Sequence, residues 1–239
     1  MSEILRIEHL TKTYGTKKAV DDLSLSINEG DLFGFIGHNG AGKTTTLRSA
    51  VGILDFEQGN IIVDGHSLLD QPLACKQVIA YLPDNPDLYE YLTGIQYLSF
   101  IADIFSVGKQ EREARIAEYA GRLELTSNLG DLIGSYSHGM KQKLALISAF
   151  LHEPRLLVLD EPFVGLDPSA AFHLKEMMKE ICDKGGAIFF STHVLDVAEK
   201  LCTHIGIIKG GRLIACGNTE DVRGDSSLED AFLEVLDNE

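Results

Sequence analysis

Polar and apolar residues alternate along two stretches near the start of the chain, residues 4–10 and 23–27. A period of two is typical of strands that have one buried and one exposed face. Residues 60–63 continue this pattern, and the Asp64-Gly65 pair that follows them is typical of a tight turn. These short strands predict a small antiparallel sheet beside the main core of the protein.

Longer apolar runs without alternation predict a second group of strands, at residues 32–36, 78–82, 156–159, 187–191 and 205–209. The Leu-Leu-Val-Leu run at 156–159 suits a strand that is buried on both faces of a parallel sheet. Helices are predicted between these strands at residues 44–51, 169–183 and 194–202. The alternation of strands and helices predicts an α/β core.

From residue 84 to residue 151 the periodicity becomes helical. Three helices are predicted here, at residues 95–105, 111–123 and 141–151. Near the C-terminus, an apolar stripe predicts a docked final helix and consists of Leu228, Ala231, Phe232 and Val235. We therefore expect one domain over residues 1–239. Its α/β core and β subdomain span 1–83 and 152–218, a helical subdomain spans 84–151, and a helical tail spans 219–239.

The most specific chemical motif follows the apolar strand at 32–36. It reads GHNGAGKT and matches the phosphate-binding pattern G-x-x-x-x-G-K-[ST]. Glycines let the backbone approach a polyphosphate, Lys43 can reach the β- and γ-phosphates, and the Thr44 hydroxyl suits Mg²⁺. A chance glycine-rich turn is disfavoured by the strand before it and the helix after it. Nucleotide contacts are predicted for Gly37, His38, Asn39, Gly40, Ala41, Gly42, Lys43, Thr44 and Thr45.

Acidic residues and a histidine follow two of the later strands. Asp160 and Glu161 end the strand at 156–159, and ligands bind at the carboxyl ends of strands in open α/β sheets. Asp160 is placed to hold Mg²⁺ through a water molecule, and Glu161 is placed to orient or deprotonate an attacking water. His193 ends the next strand, where it can hydrogen-bond a γ-phosphate. The structural alternatives are two acids at an ordinary strand end and a histidine without a chemical role.

A possible second anion site lies before the helix predicted at 141–151. The stretch Ser137-His138-Gly139 would place a hydroxyl group, backbone amides and the helix dipole toward a negative charge. By itself this indication is weak, since many helices begin with serine and glycine.

Composition narrows the range of partners. The chain has 36 acidic and 21 basic residues and a formal net charge of −15, which disfavours nucleic acid and anionic lipid as partners. The four cysteines lack metal-ligand spacing and are expected to be buried thiols. We find neither a secretory leader nor the ~18 apolar residues of a membrane span. The predicted location is cytoplasmic, with attachment to a membrane only through another protein.

Taken together, these motifs resemble in order and spacing the nucleotide-binding subunits of ATP-binding-cassette (ABC) transporters, over nearly the whole chain. The loop Asp84-Asn85-Pro86 and the short acidic tail are similar to those of exporter-type members. The resemblance implies a P-loop NTPase (RecA-like) core and a Tyr14 ring that stacks on adenine. It places Asp84 at the family's Q-loop, residues 136–140 at its signature motif and residues 165–168 at its D-loop.

The resemblance also implies a mechanism. Two cassettes, either identical or different, pair head to tail with ATP between the phosphate-binding loop of one and Ser137 and Gly139 of the other. Glu161, His193 and Lys43 are the implied catalytic residues, and the implied Mg²⁺ ligands are Thr44, Asp160 and Asp84. Closure of the two cassettes on ATP, followed by hydrolysis of the ATP, drives transport by a separate membrane-spanning subunit.

Two departures from the family pattern keep other functions open. Asp84 replaces the usual glutamine, and the signature reads YSHGM where the family has LSGGQ. One alternative is a soluble regulatory or assembly ATPase with weak hydrolysis. Another is a soluble cassette that acts on ribosomes or DNA, which the absence of tandem cassettes, zinc modules and basic patches disfavours.

Overall fold

The structure is a computed structural model that describes the backbone of residues 2–237 and the side chains of residues 2–234. Within that range the chain forms two sheets and a helical insertion. This arrangement confirms the predicted fold class, a P-loop α/β core with an antiparallel β subdomain and an inserted helical subdomain.

The smaller sheet is antiparallel and has the strand order β2-β1-β4-β5. Its strands are β1 (Glu3–Tyr14), β2 (Lys17–Asn28), β4 (Gln58–Val63) and β5 (His66–Ser67). Alternate residues of β1, among them Leu5 and Ile7, are buried against the larger sheet. Strands β1 and β2 are longer than the alternation predicted, so Tyr14 lies at the end of a strand.

The larger sheet forms the centre of the α/β core and has the order β10-β9-β3-β8-β7-β6. Its strands are β3 (Leu32–Ile36), β6 (Ile79–Leu82), β7 (Leu156–Asp160), β8 (Ala187–Thr192), β9 (His204–Lys209) and β10 (Arg212–Asn218). All neighbouring pairs are parallel except β9 and β10. The carboxyl ends of β3, β8, β7 and β6 therefore lie side by side along one edge.

Helices cover both faces and link the strands of the core. They are α1 (Lys43–Ala50), α2 (Pro72–Val78), α6 (Pro168–Asp183), α7 (Leu195–Leu201), α8 (Thr219–Arg223) and α9 (Leu228–Asp237). Helix α9 corresponds to the predicted final helix, with Leu228 and Ala231 buried. The predicted apolar position Val235 lies outside the described side chains.

The helical insertion contains α3 (Gly94–Ile104), α4 (Lys109–Arg122) and α5 (His138–Phe150), with short 3₁₀ turns at Thr126–Asn128 and Ile133–Ser135. Helix α3 begins in a capping box in which the Thr93 hydroxyl accepts from the Gln96 N–H and the Gln96 side chain accepts from the Thr93 N–H. Helix α5 begins three residues earlier than the apolar periodicity predicted, because the Ser137 hydroxyl caps it by accepting from the Met140 N–H.

Two hydrophobic clusters lie on opposite faces of the large sheet. Strand β3 serves both, since Phe33 and Phe35 face the antiparallel sheet whereas Leu32 and Ile36 face the helical side. Ion pairs bridge the parts of the fold. Arg155, which precedes β7, bonds Glu29 of the antiparallel sheet's β2–β3 turn at 2.6 Å.

Two features of the structure differ from expectation or add to it. Only Cys75 and Cys202 are fully buried, although all four cysteines were expected to be. Cys182 is half-buried, and Cys216 is exposed because it lies on edge strand β10. None of the helices in residues 2–237 combines the length and apolar character needed to cross a bilayer.

Candidate functional site

The predicted chemical residues meet along one edge of the large sheet. Strand β3 leads into the phosphate-binding loop, β7 ends at Asp160, β8 is followed by His193, and β6 is followed after one residue by Asp84. Register explains their proximity, since Asp160 pairs with Ser191 across the β7–β8 ladder.

The phosphate-binding loop, residues 37–44, adopts backbone conformations that require glycine. Gly42 has φ of +114°, and a Cβ atom there would lie 2.4 Å from the carbonyl oxygen of Ala19. The Ala41 N–H donates to the His38 carbonyl at 3.1 Å and closes the turn. Helix α1 then begins at Lys43, so its unpaired N–H groups face the loop's concave side.

The Lys43 side chain folds back into its own loop. Its Nζ donates to the Gly37 carbonyl at 2.5 Å and to the His38 carbonyl at 3.4 Å, and it lies 3.6 Å from Oε1 of Glu161. Only 6% of the lysine is exposed. These oxygen atoms satisfy the hydrogen-bond donors of the buried ammonium, and an anionic phosphate can take their place.

Ser191 organises the acidic end of β7. Its hydroxyl donates to Oδ1 of Asp160 at 2.5 Å and accepts from the N–H of Glu161 at 3.1 Å. Both Ser191 and Asp160 are buried, and Oδ2 of Asp160 has no hydrogen-bond partner among the described residues. One hydroxyl group therefore sets the position of both acidic residues.

Glu161 occupies the centre of the site. Its backbone has φ of +49°, an uncommon value for a residue with a side chain, so the chain turns sharply where β7 ends. Its Oε1 lies 3.0 Å from Nδ1 of His193 as well as 3.6 Å from Lys43. The glutamate thus links the lysine and the histidine, which come from different strand ends.

Most of these groups, though not Ser191 or His193, line one open cavity of about 340 Å³. Its walls carry most of the predicted site residues, and its lining consists of Tyr14, Lys17, Ala19, His38, Asn39, Gly40, Gly42, Lys43, Thr44, Thr45, Asp84, Asp160 and Glu161. Tyr14, at the mouth, is 53% exposed, with the Lys12 ammonium 5.6 Å from its ring centroid. The exposed Tyr14 ring therefore offers a flat face on which a nucleotide base can stack.

Five predicted site residues are not among those that line this cavity. Gly37 and Ala41 lie within the phosphate-binding loop, His193 lies 3.0 Å from Glu161, and the other two are Ser137 and Gly139. Ser137 and Gly139 lie at the start of α5, where Ser137 is exposed. Gly139 lies beside the D-loop, residues 165–168, since a Cβ on Gly139 would lie 3.0 Å from the Gly165 carbonyl oxygen. The Lys143 ammonium, 2.7 Å from Asp167, lowers the pKa of that carboxyl group and keeps it charged.

Comparison with known proteins identifies the family. The ABC transporter family model matches residues 20–164, and the chain belongs to this family. It is an ATP-binding and ATP-hydrolysing subunit of an ABC transporter, as the resemblance implied.

Relatives cover almost the whole chain. The ABC-type transporter ATP-binding protein EcsA of Bacillus subtilis (strain 168) is 34% identical over 98% of this chain and 94% of its own length. The linearmycin resistance ATP-binding protein LnrL of the same strain is 35% identical over 98% of this chain and 78% of its own length. A solved structure of the ATP-binding subunit of an ABC transporter superposes with a TM-score of 0.94 at 34% identity, covering 98% of this chain and 99% of that one.

Sequence reasoning missed two kinds of contributor to the site. Ser191 was included only as the last residue of the strand predicted at 187–191. A polar residue at the end of a buried strand, beside a strand that ends in two acidic residues, is the indication that could have marked it as a site residue. Lys17 and Ala19 reach the cavity from the antiparallel sheet. No local pattern predicts their position, because it depends on how the two sheets pack.

Proposed function

We propose that this chain is one of two cassettes that close head to tail on ATP beside a separate membrane-spanning subunit. The observation that supports this most strongly is the division of the predicted ATP contacts between two surfaces. Lys43, Thr44 and Glu161 line the cavity, whereas Ser137 and Gly139 do not. A second cassette would bring its own Ser137 and Gly139 over the open side of the cavity.

Within the closed pair, the residues at the strand ends have distinct roles. Lys43 leaves its carbonyl partners to bind the β- and γ-phosphates. Glu161 accepts a proton from the attacking water, and His193, already 3.0 Å from Glu161, donates to the γ-phosphate. Tyr14 stacks on the adenine ring. The cationic groups and loop N–H donors stabilise charge that develops during hydrolysis.

Mg²⁺ fits the oxygen atoms at this edge. The buried Oδ2 of Asp160 has no partner among the described residues, and the Thr44 hydroxyl lines the same cavity. Hard oxygen ligands of this kind, completed by phosphate oxygens, suit Mg²⁺. Asp84 contributes a further carboxylate in place of the family's glutamine. When bound, the ion would offset phosphate charge, while Ser191 holds Asp160 in place.

An exposed aromatic surface supports the proposal that the chain binds a membrane-spanning subunit. Tyr89 lies 5.9 Å, between ring centroids, from both Tyr91 and Phe100, and all three rings are exposed, with Tyr91 at 75%. Clustered exposed aromatic side chains are typical of protein interfaces. We propose that this surface binds the membrane subunit and that the cassette is held at the cytoplasmic face of the membrane.

The segment from Asp84 to Tyr91 connects this surface to the cavity. Glu90 fixes its far end, because the Glu90 carbonyl accepts from the Gly134 N–H at 3.0 Å and its carboxylate bonds Lys141 of α5 at 2.5 Å. The aromatic surface and the cavity are therefore joined by the eight residues from Asp84 to Tyr91, and Glu90 ties these residues to helix α5.

A photoreactive amino acid placed at Tyr91 tests the membrane contact. In membranes of the source cell we expect a crosslink to a protein with several membrane spans. The same probe at Phe172, an exposed ring on α6, is the matched control. Equal crosslinking from both positions would contradict the assignment of this surface.

Light scattering of the Glu161→Gln protein tests ATP-driven closure. Without the carboxylate base, the closed state should persist, so we expect a monomer without nucleotide and a dimer with Mg·ATP. Lys43→Ala in the same background should abolish the dimer. Glu153→Gln, which alters an exposed glutamate that is paired with Arg115 and does not line the cavity, should behave as wild type.

The outcomes separate the open alternatives. A dimer of two copies would show that the YSHGM motif still contacts the nucleotide across the interface. Monomers that bind ATP tightly would indicate a different cassette as the partner. Rapid turnover by Glu161→Gln would refute the role of Glu161, and very slow turnover by wild type even with its membrane subunit would favour the regulatory ATPase. Membership of the exporter type stays a prediction that these experiments do not test.

A further inference from the structure

The C-terminal helix α9 is fastened at its first turn. Leu228 is fully buried, and its N–H donates to Oε2 of Glu199 at 3.0 Å. Glu199 belongs to α7 and also pairs with Arg223 at 3.3 Å. The hydrogen bond from Leu228 lowers the pKa of the Glu199 carboxyl group, so a negative charge faces the positive end of the helix. The rest of α9 is therefore held in a defined direction.

Phe232 lies one turn after Leu228, on the same face of α9. Its ring is half-buried and packs against the core, and its centroid lies 6.2 Å from that of His38 with the rings at 73°. This edge-to-face arrangement is attractive at such a distance.

His38 is the second residue of the phosphate-binding loop. Its carbonyl accepts from the Ala41 N–H and lies 3.4 Å from the Lys43 ammonium. A shift of the His38 backbone would therefore change the turn that shapes the loop and the position of Lys43 together. A ring packed on the His38 side chain restrains such a shift.

We propose that Phe232 is a positioning residue for ATP binding, through which helix α9 holds the phosphate-binding loop in its binding conformation. This inference rests on the proposed role of residues 37–44 in holding ATP. Phe232 itself need not touch the nucleotide, because it acts through His38. The consequence is that the tail of the chain contributes to nucleotide affinity.

Phe232→Leu tests the contact, because leucine keeps an apolar side chain against the core and removes the ring. We expect the dissociation constant for Mg·ADP and the KM for ATP to rise about 2- to 10-fold, with kcat little changed, as the loss of one aromatic contact predicts. Phe232→Tyr keeps the ring and should restore both values. Leu233→Ala, at the next and 52% exposed position, is the matched control and should match wild type.

A double-mutant cycle with His38→Ala identifies the path. If Phe232 acts through His38, Phe232→Leu should cause no further rise in the dissociation constant when His38 is already alanine. An equal rise in both backgrounds would overturn the proposal. So would a Phe232→Leu protein that binds Mg·ADP as tightly as Leu233→Ala does. Lys43→Ala separates this failure from failure of the loop assignment, because only the latter predicts unchanged binding in Lys43→Ala.

Hydrogen exchange of the wild-type chain gives a test that does not depend on any variant folding. Mg·ADP should slow exchange of the amides of α9 while leaving those of α4, in the helical insertion, unchanged. Exchange in α9 that is the same with and without Mg·ADP would overturn the proposal.

Discussion

Ser191 joins the two acidic residues of the site through a single hydroxyl group, and we predict that Ser191→Ala impairs hydrolysis. The variant would remove a bond to the Asp160 carboxylate at 2.5 Å and another to the Glu161 N–H at 3.1 Å. Alanine fits the space without new contacts. Both Asp160 and the backbone of Glu161 would lose their restraint at the point where β7 ends.

The two hydrogen bonds set the size of the effect. A bond to a charged group contributes about 1.5–3 kcal/mol and one between neutral groups about 0.5–1.5 kcal/mol, so the two bonds together contribute about 2–4.5 kcal/mol. Part of this is lost from the folding free energy and part from the transition state for hydrolysis. If half is lost from the transition state, kcat falls about 5- to 45-fold.

Steady-state phosphate release at saturating ATP, measured across a series of Mg²⁺ concentrations, is the assay. Besides the fall in kcat, we expect half-maximal activity at higher Mg²⁺, because Asp160 is no longer held. Ser148→Ala makes the same chemical change at a helical serine whose hydroxyl bonds the Ala145 carbonyl at 2.7 Å. It should leave both quantities unchanged. A Ser191→Ala protein with wild-type kcat and wild-type Mg²⁺ dependence would refute the positioning role.

Two further predictions concern the loop and a buried histidine. Gly42→Ala should abolish ATP binding in a calorimetric titration, because its Cβ would lie 2.4 Å from the Ala19 carbonyl oxygen, whereas Gly121→Ala, in an open helical position, should bind normally. Burial lowers the pKa of His152 from 6.5 to about 4, so its neutral form stabilises the fold, and that stability is lost as the pH falls through this range. Chemical denaturation at pH 7 and pH 5 should show a loss of about 2 kcal/mol from this group that is missing in His152→Phe; equal pH dependence in both proteins would contradict it.

The strands of the core were largely predictable, because a parallel sheet buries whole apolar runs. The structure departs from the predictions where burial is partial. Strand β10 lies at the sheet edge with half-buried residues, although the Gly210-Gly211 pair before it is a recognisable hairpin turn. Helix α2 has only seven residues and one buried side chain, Cys75, so its periodicity is weak.

Some features of the candidate site could likewise be predicted from the sequence, and others could not. That the phosphate-binding loop, Asp160, Glu161 and His193 lie close together could be predicted, because each follows the carboxyl end of a strand in the same sheet. The polar character of Ser191 could be noticed, but its bonds to Asp160 and Glu161 depend on strand register, and the contact of Phe232 with His38 depends on the path of α9. The roles of these residues depend on neighbours distant in the chain, and a local pattern does not carry that information.

The eight residues from Asp84 to Tyr91 form a short, restrained connection between the ATP cavity and the aromatic surface. Fully extended, such a segment reaches no more than roughly 29 Å, and Pro86 and the bonds of Glu90 reduce its freedom further. A segment this short and restrained has few ways to absorb a displacement of Asp84, so we expect such a displacement to alter the position of the aromatic surface. The same connection would also act in the opposite direction, from the aromatic surface to the cavity. Under the proposed function, a force that the membrane subunit applies to Tyr91 would reach the ATP cavity through these same eight residues.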